Sequence, residues 1–181
     1  MRWIPFLILI YVGILVQVAV GAIPVRFAIT GDIAPDIPAI IAVFFVLSLR
    51  DPRDAMMVAW SLGLAMDLMI CGMDIAHTAV GPMAISYTLA ASVIFRVREA
   101  FFRERALARA LLVLLFCLIA HSVWVTLQTV LGFAWSAWWP SIVRAIGNSL
   151  YAAMLAPLIC IGLQQCGGWF IAAPARRLRR R

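Results

Sequence analysis

The sequence predicts an all-α integral membrane protein, a six-transmembrane-helix bundle, and three observations carry that prediction. Hydrophobic residues make up 65% of the 181-residue chain and charged residues 13%, against about 25% charged in soluble domains. The mean hydropathy is +1.03, and the apolar residues fall into long runs joined by short connections, leaving no stretch for a soluble core. The cations, all arginine, cluster in alternate connections, as the positive-inside rule requires. Residues 1–181 therefore read as a single membrane domain with a basic cytoplasmic tail at 174–181.

The first run, Trp3 to Ile23, suffices for one crossing, because a hydrocarbon core of ~30 Å takes ~20 helical residues. A signal peptide is its rival, with Arg2 as n-region and Val20-Gly21-Ala22 as a loose cleavage site, but the run exceeds the ~7–15 residues of a signal h-region. It reads as an uncleaved helix. Residues 24–38 hold Pro24, Pro35 and Pro38 with Gly31, Asp32 and Asp36, and read as an outer loop. Asp36 before Ile37-Pro38 fits an N-cap with proline in the first turn, where a missing N–H is harmless.

The second run ends near Leu49 and is short for a crossing, so a re-entrant segment is the alternative. Charge decides for a crossing. It makes residues 50–54, with Arg50 and Arg53, a cytoplasmic hairpin in which Pro52 stops one helix and Asp54 caps the next. Helix three then runs from about Ala55 to Cys71 and helix four from about Thr78 to Val97, joined by a connection, 72–77, without arginine. The following connection carries Arg96, Arg98, Arg103, Arg105 and Arg109. Arg98, Phe101, Phe102 and Arg105 are helically spaced, which suits an interfacial helix against anionic lipid or a solvated turn. Helix five covers Leu107–Leu131, three tryptophans at 135, 138 and 139 resemble an outer aromatic belt, and helix six covers Ile142–Leu163. With both termini cytoplasmic, only Arg26 and Arg144 fall outside.

The net charge of +7 would suit a nucleic-acid binder only with the cations on one solvated face; here they mark loops, and no nucleic-acid partner is expected. Cys71, Cys117, Cys160 and Cys166 lack CxxC spacing and read as small packing residues. With Asp67, His77 and His121 scattered, neither metal nor cofactor is expected. Asp67, inside the third run, is the sharpest polar signal, since an intramembrane carboxylate is costly and faces protein or water. Gly63, one turn earlier, gives a face for close helix approach on which Trp60 or a polar group of helix five or six can bond Asp67. It reads as a packing carboxylate rather than a proton relay, there being no second carboxylate or lysine at its depth. His121, Ser122, Thr126, Gln128 and Thr129 on helix five, with Arg144, Asn148, Ser149 and Tyr151 on helix six, form polar stripes that line a cavity or tie helices together. No Ser-His-Asp set, phosphate-cradling loop or carboxylate pair is evident, so a non-enzyme is expected.

The central block, residues 33–105, resembles the rod shape-determining protein MreD family. The likeness lies in Pro35-Asp36 opening a short apolar helix, Leu49-Arg50 at the next turn, Gly63-Leu64, Asp67-Leu68 and Gly72 along and just after helix three, and Tyr87 on helix four. After Gly72 the usual glycine and proline-rich run gives way to MetAspIleAlaHisThrAlaValGlyProMet, which leaves the role of loop 72–77 open. The resemblance implies a non-catalytic component of the bacterial elongation (rod) complex in the inner membrane. It would support cell shape and lateral peptidoglycan synthesis through an MreC-like protein, and so the MreB filament and the synthase of RodA and its penicillin-binding protein. Pro35, Asp36, Arg50, Gly63, Asp67, Gly72, Tyr87, Arg96 and Arg98 are the interaction or packing candidates. It also implies a bundle similar to the substrate-binding subunits of energy-coupling-factor transporters. Hence the alternative function: a vitamin-binding transporter subunit, whose outer cavity should gather polar and aromatic groups, for which Trp135, Trp138 and Trp139 are available. A channel or exporter would need polar residues in more helices than three, five and six.

Overall fold

The computed structural model describes residues 3–21, 25–27, 31–73, 80–98, 106–132, 135 and 138–170. Within them the chain forms α1 (Trp3–Gly21), β1 (Val25–Phe27), β2 (Gly31–Ile33), α2 (Ile37–Ser48), α3 (Pro52–Met73), α4 (Pro82–Val97), α5 (Ala106–Gly132) and α6 (Trp138–Phe170). The helical bundle expected from the hydropathy is present. The loop expected at 24–38 instead carries a small antiparallel hairpin, with Val25 opposite Ile33 and Phe27 opposite Gly31. Two helices, over Leu107–Gly132 and Trp138–Gln165, are long and apolar enough to cross a membrane; α1, α2 and α4 are shorter apolar helices.

The helix order in space follows from α2, which touches each of the other five helices. Its residues from Ile37 to Val46 are all buried. A helix apolar all round belongs in a core, and this one is enclosed by its own chain. Phe45 meets Phe6 of α1 edge-on, ring centroids 5.2 Å apart. On α1 the buried positions are Phe6, Ile10, Gly13 and Gln17, one helical face, while Ile4, Leu7, Ile8, Tyr11 and Leu15 point outward. Such an apolar outer face suits lipid. Outside α2, α3 pairs with α4, α4 with α5 and α5 with α6.

At only 12 residues, α2 spans roughly 18 Å at 1.5 Å per residue, so its terminal N–H and C=O groups need partners inside the protein. The chain supplies them at both ends. Asp36 caps the start as expected, its Oδ1 accepting from Ala39 N at 3.1 Å; Ile37 N donates to Gln17 Oε1 at 2.8 Å; Pro38 has no N–H to satisfy. At the other end Ser48 Oγ donates to Phe44 O. Arg98 Nη1 donates to Val46 O at 2.7 Å and Leu49 O at 2.6 Å.

Arg98 is thus a correction to both placements expected of it, against lipid or in a solvated turn. The guanidinium is buried, lying 3.6 Å over the Phe95 ring, because the C-terminal carbonyls of α2 are buried and a five-donor cation is the side chain that reaches them. Phe101, Phe102, Arg103 and Arg105 lie outside the described residues. A second correction concerns the 50–54 turn. Pro52 starts α3 instead of ending α2, and the cap is Asp51, whose Oδ1 accepts from Arg53 N at 2.9 Å; Asp54 sits in the first turn. Proline suits a first helical position, where its missing N–H is an orphan in any case.

Candidate functional site

Two buried carboxylates, Asp36 and Asp67, organise the interior, and each is satisfied differently. Asp67 lies on α3 one turn after Gly63. Its Oδ2 accepts from Gly81 N and Ala84 N, both at 3.0 Å, and from Met83 N at 3.1 Å. Those amides open α4, whose N-cap, Gly81, has no side chain to offer and a φ of 121°. An aspartate from the neighbouring helix therefore does the work of a capping residue, placing negative charge where the helix dipole is positive. Gly63 makes this possible. A Cβ there would stand 2.6 Å from Met83 O and 2.7 Å from Ala84 Cα, so only glycine lets α4 come within reach of Asp67. The close approach expected at Gly63 is present. The bonds observed at Asp67 come neither from Trp60, which is exposed, nor from a polar group of helix five or six, the two expected partners, but from backbone amides, whose unmet demand at a helix start outranks a side-chain donor.

Asp36 begins α2 and also ties three other helices together. Tyr87 on α4 donates its hydroxyl to Asp36 Oδ2 at 2.6 Å, and His121 Nε2 on α5 lies 3.0 Å from the same oxygen. His121 Nδ1 faces Ser149 Oγ on α6 at 3.2 Å, and Ser149 donates to Ala145 O at 2.7 Å. With the serine proton so directed, Nδ1–H donates to Ser149 and one proton serves the contact between Nε2 and Oδ2. On nitrogen it makes an ion pair, on oxygen a neutral hydrogen bond. All four side chains are buried, where an unpaired group would be costly.

A serine, a histidine and an aspartate thus stand in one hydrogen-bonded line, which their wide separation in sequence does not reveal. Ser149 has no exposed surface and hands its proton to its own helix. The line tethers α2, α5 and α6.

Beside it lies a cavity of about 160 Å³, lined by Gln17, Pro35, Asp36, Met66, Met83, His121, Trp124 and Asn148 among others. Asn148 Oδ1 accepts from Ala34 N at 3.2 Å, holding the segment ahead of α2 to α6. The cavity does gather polar and aromatic groups, but the aromatic is Trp124; of the tryptophans expected there, Trp135 and Trp139 are exposed and Trp138 stacks obliquely on Trp139.

Of the sequence-derived candidates, Pro35, Asp36, Tyr87, Gly63 and Asp67 converge on the end of the bundle where α2 and α4 begin, and Arg98 lies at the opposite end of α2. Arg50 and Arg96 are exposed at that opposite end, and Gly72 sits near the end of α3. His77 and residues 74–79 lie outside the described residues. Gln17 and Trp124 were not singled out from sequence, since an isolated glutamine or tryptophan in an apolar run carries no spacing signal. Cys117 and Cys160 are buried free thiols, as expected of packing residues. Compared with models of known families, with curated proteins and with solved structures, the chain finds no match.

Proposed function

We propose that the protein is a non-catalytic, six-crossing component of the bacterial inner membrane with both termini cytoplasmic, acting in the elongation (rod) complex through an MreC-like protein. The observation that carries this reading is the fate of the family-like residues. Asp36 and Tyr87 bond each other, Gly63 and Asp67 together seat α4, and each is consumed by internal contacts. Residues spent on fixing helix positions suit a scaffold, whose product is a rigid surface. The arginines at 50, 53 and 96 would face the cytoplasm and anionic lipid headgroups. The test is co-purification: full-length tagged protein, extracted in mild detergent from its host, should bring down an MreC-like protein and the RodA synthase.

A second reading, the vitamin-binding subunit of a transporter, is favoured by one observation, the cavity of about 160 Å³ at the Asp36 end. Recovery of a transporter ATPase pair in place of the elongation proteins would decide for it.

A further inference from the structure

We propose that the crevice between α2, α5 and α6, at the Ser48 end of the bundle, binds the headgroup of one anionic phospholipid through Arg109. The proposal rests on the chain lying in a membrane and is independent of any part in an elongation complex. It also differs from a general attraction of lipid to surface arginines. Arg50, Arg53 and Arg96 are exposed, whereas Arg109 is half-buried in the first turn of α5, inside the helix and not in the connection before it.

The crevice measures about 190 Å³ and is lined by Phe44, Leu47 and Ser48 of α2, Arg109 of α5, and Cys160 and Gln164 of α6. An apolar cavity of ~150 Å³ holds benzene, so there is room here for a phosphate group and the glycerol carbons beside it. The lining has two characters. Phe44, Leu47 and Cys160 are apolar, while Arg109 and Gln164 bring donors; Ser48 gives its own proton to Phe44 O at 2.7 Å. None of these described lining side chains is acidic. A guanidinium holds five N–H donors in a fork that matches phosphate geometry, more than a single partner within the protein takes up.

A free phosphate would use the cation and leave the apolar side of the crevice unmatched. A lipid uses both. The helices that form the crevice turn apolar side chains outward near it, Leu107 and Leu111 on α5 and Leu158 and Ile161 on α6, a surface suited to acyl chains. Charge selects among lipids: a partly desolvated guanidinium favours a headgroup of net negative charge over a zwitterionic one.

The experiment uses full-length protein stripped of lipid in mild detergent, with unfolding followed by tryptophan fluorescence. Phosphatidylglycerol, phosphatidylcholine and inorganic phosphate are titrated separately. Phosphatidylglycerol should raise the unfolding temperature saturably, at concentrations where the other two do little. Arg109→Gln should weaken that response roughly tenfold, as expected for the loss of one charge-assisted hydrogen bond. Ser48→Leu keeps the cation and fills the crevice, and should weaken it as well; Arg50→Gln, an exposed arginine outside the lining, should respond like the parent. None of these readings depends on which proteins co-purify with the chain. The proposal is overturned if phosphatidylglycerol gives no saturable shift, if phosphatidylcholine or inorganic phosphate matches it, if Arg50→Gln loses as much as Arg109→Gln, or if Arg109→Gln and Ser48→Leu both respond like the parent.

Discussion

Gly63 and Asp67, one turn apart on α3, act on the same start of α4: the absent side chain admits the backbone at Met83 and Ala84, and the carboxylate bonds their amides and that of Gly81. The α3–α4 contact thus depends on a missing atom and a charge in register. Changing either has a different expected signature.

Gly63→Ala puts a methyl 2.6 Å from Met83 O. The obstruction is backbone, so α4 must move. Overpacking of this kind costs ~1–3 kcal/mol, and the displaced helix weakens its bonds to Asp67 as well. Thermal unfolding in detergent should show a lowered midpoint, and membrane abundance should fall; an unchanged midpoint would mean that α4 does not approach α3 this closely.

Asp67→Asn keeps one acceptor oxygen for the amides that open α4, whereas Asp67→Leu leaves three of them without an acceptor. Losing a helix cap costs about 0.5–2 kcal/mol, and the buried setting puts the leucine variant at the upper end. The asparagine variant should retain most function at matched membrane levels and the leucine variant should lose abundance. Equal failure of both would make Asp67 a titrating acid.

How far the sequence carried is clearest at these residues. Gly63, Asp67 and the Asp36 cap were legible because each breaks an apolar pattern at a position with one economical explanation. The partner of Asp67 was not, because backbone amides leave no mark in sequence and the N-cap of the helix that needs the carboxylate, Gly81, lies 14 residues later. The Asp36–His121–Ser149 line was hidden for a related reason: His121 and Ser149 read as parts of separate polar stripes, and only the placement of α5 and α6 around α2 brings them to Asp36. Arg98 misled because its sequence neighbours are polar, while the buried end of α2 lies 49 residues upstream.

Arg98→Leu removes both bonds to the last carbonyls of α2, from Val46 and Leu49. Arg98→Lys keeps a cation and one reachable donor. Unmet buried carbonyls cost about 1–3 kcal/mol, so the unfolding midpoint should rank parent, lysine, then leucine. A lipid-binding role for Arg98 predicts instead near-equal stability and a loss of anionic-lipid binding in both variants.

Tyr87→Phe deletes the donor 2.6 Å from Asp36 and leaves the ring packed on Phe116. A net hydrogen bond is worth about 0.5–1.5 kcal/mol, and up to about 3 kcal/mol to a charged group; because His121 still faces Asp36, the loss should fall at the low end. Combined with His121→Leu, the two losses should exceed their sum, since the second change leaves Asp36 with the Ala39 amide alone among its observed partners. Additive losses in the double-mutant cycle would contradict the shared-carboxylate geometry.

Depletion in a rod-shaped host is the most direct test of the scaffold reading, scored by cell shape and by the need for added vitamins. The reading predicts cells that round up, with dispersed elongation complexes and normal vitamin uptake, and rescue by Asp67→Asn. Cells that stay rod-shaped while requiring an exogenous vitamin would contradict it.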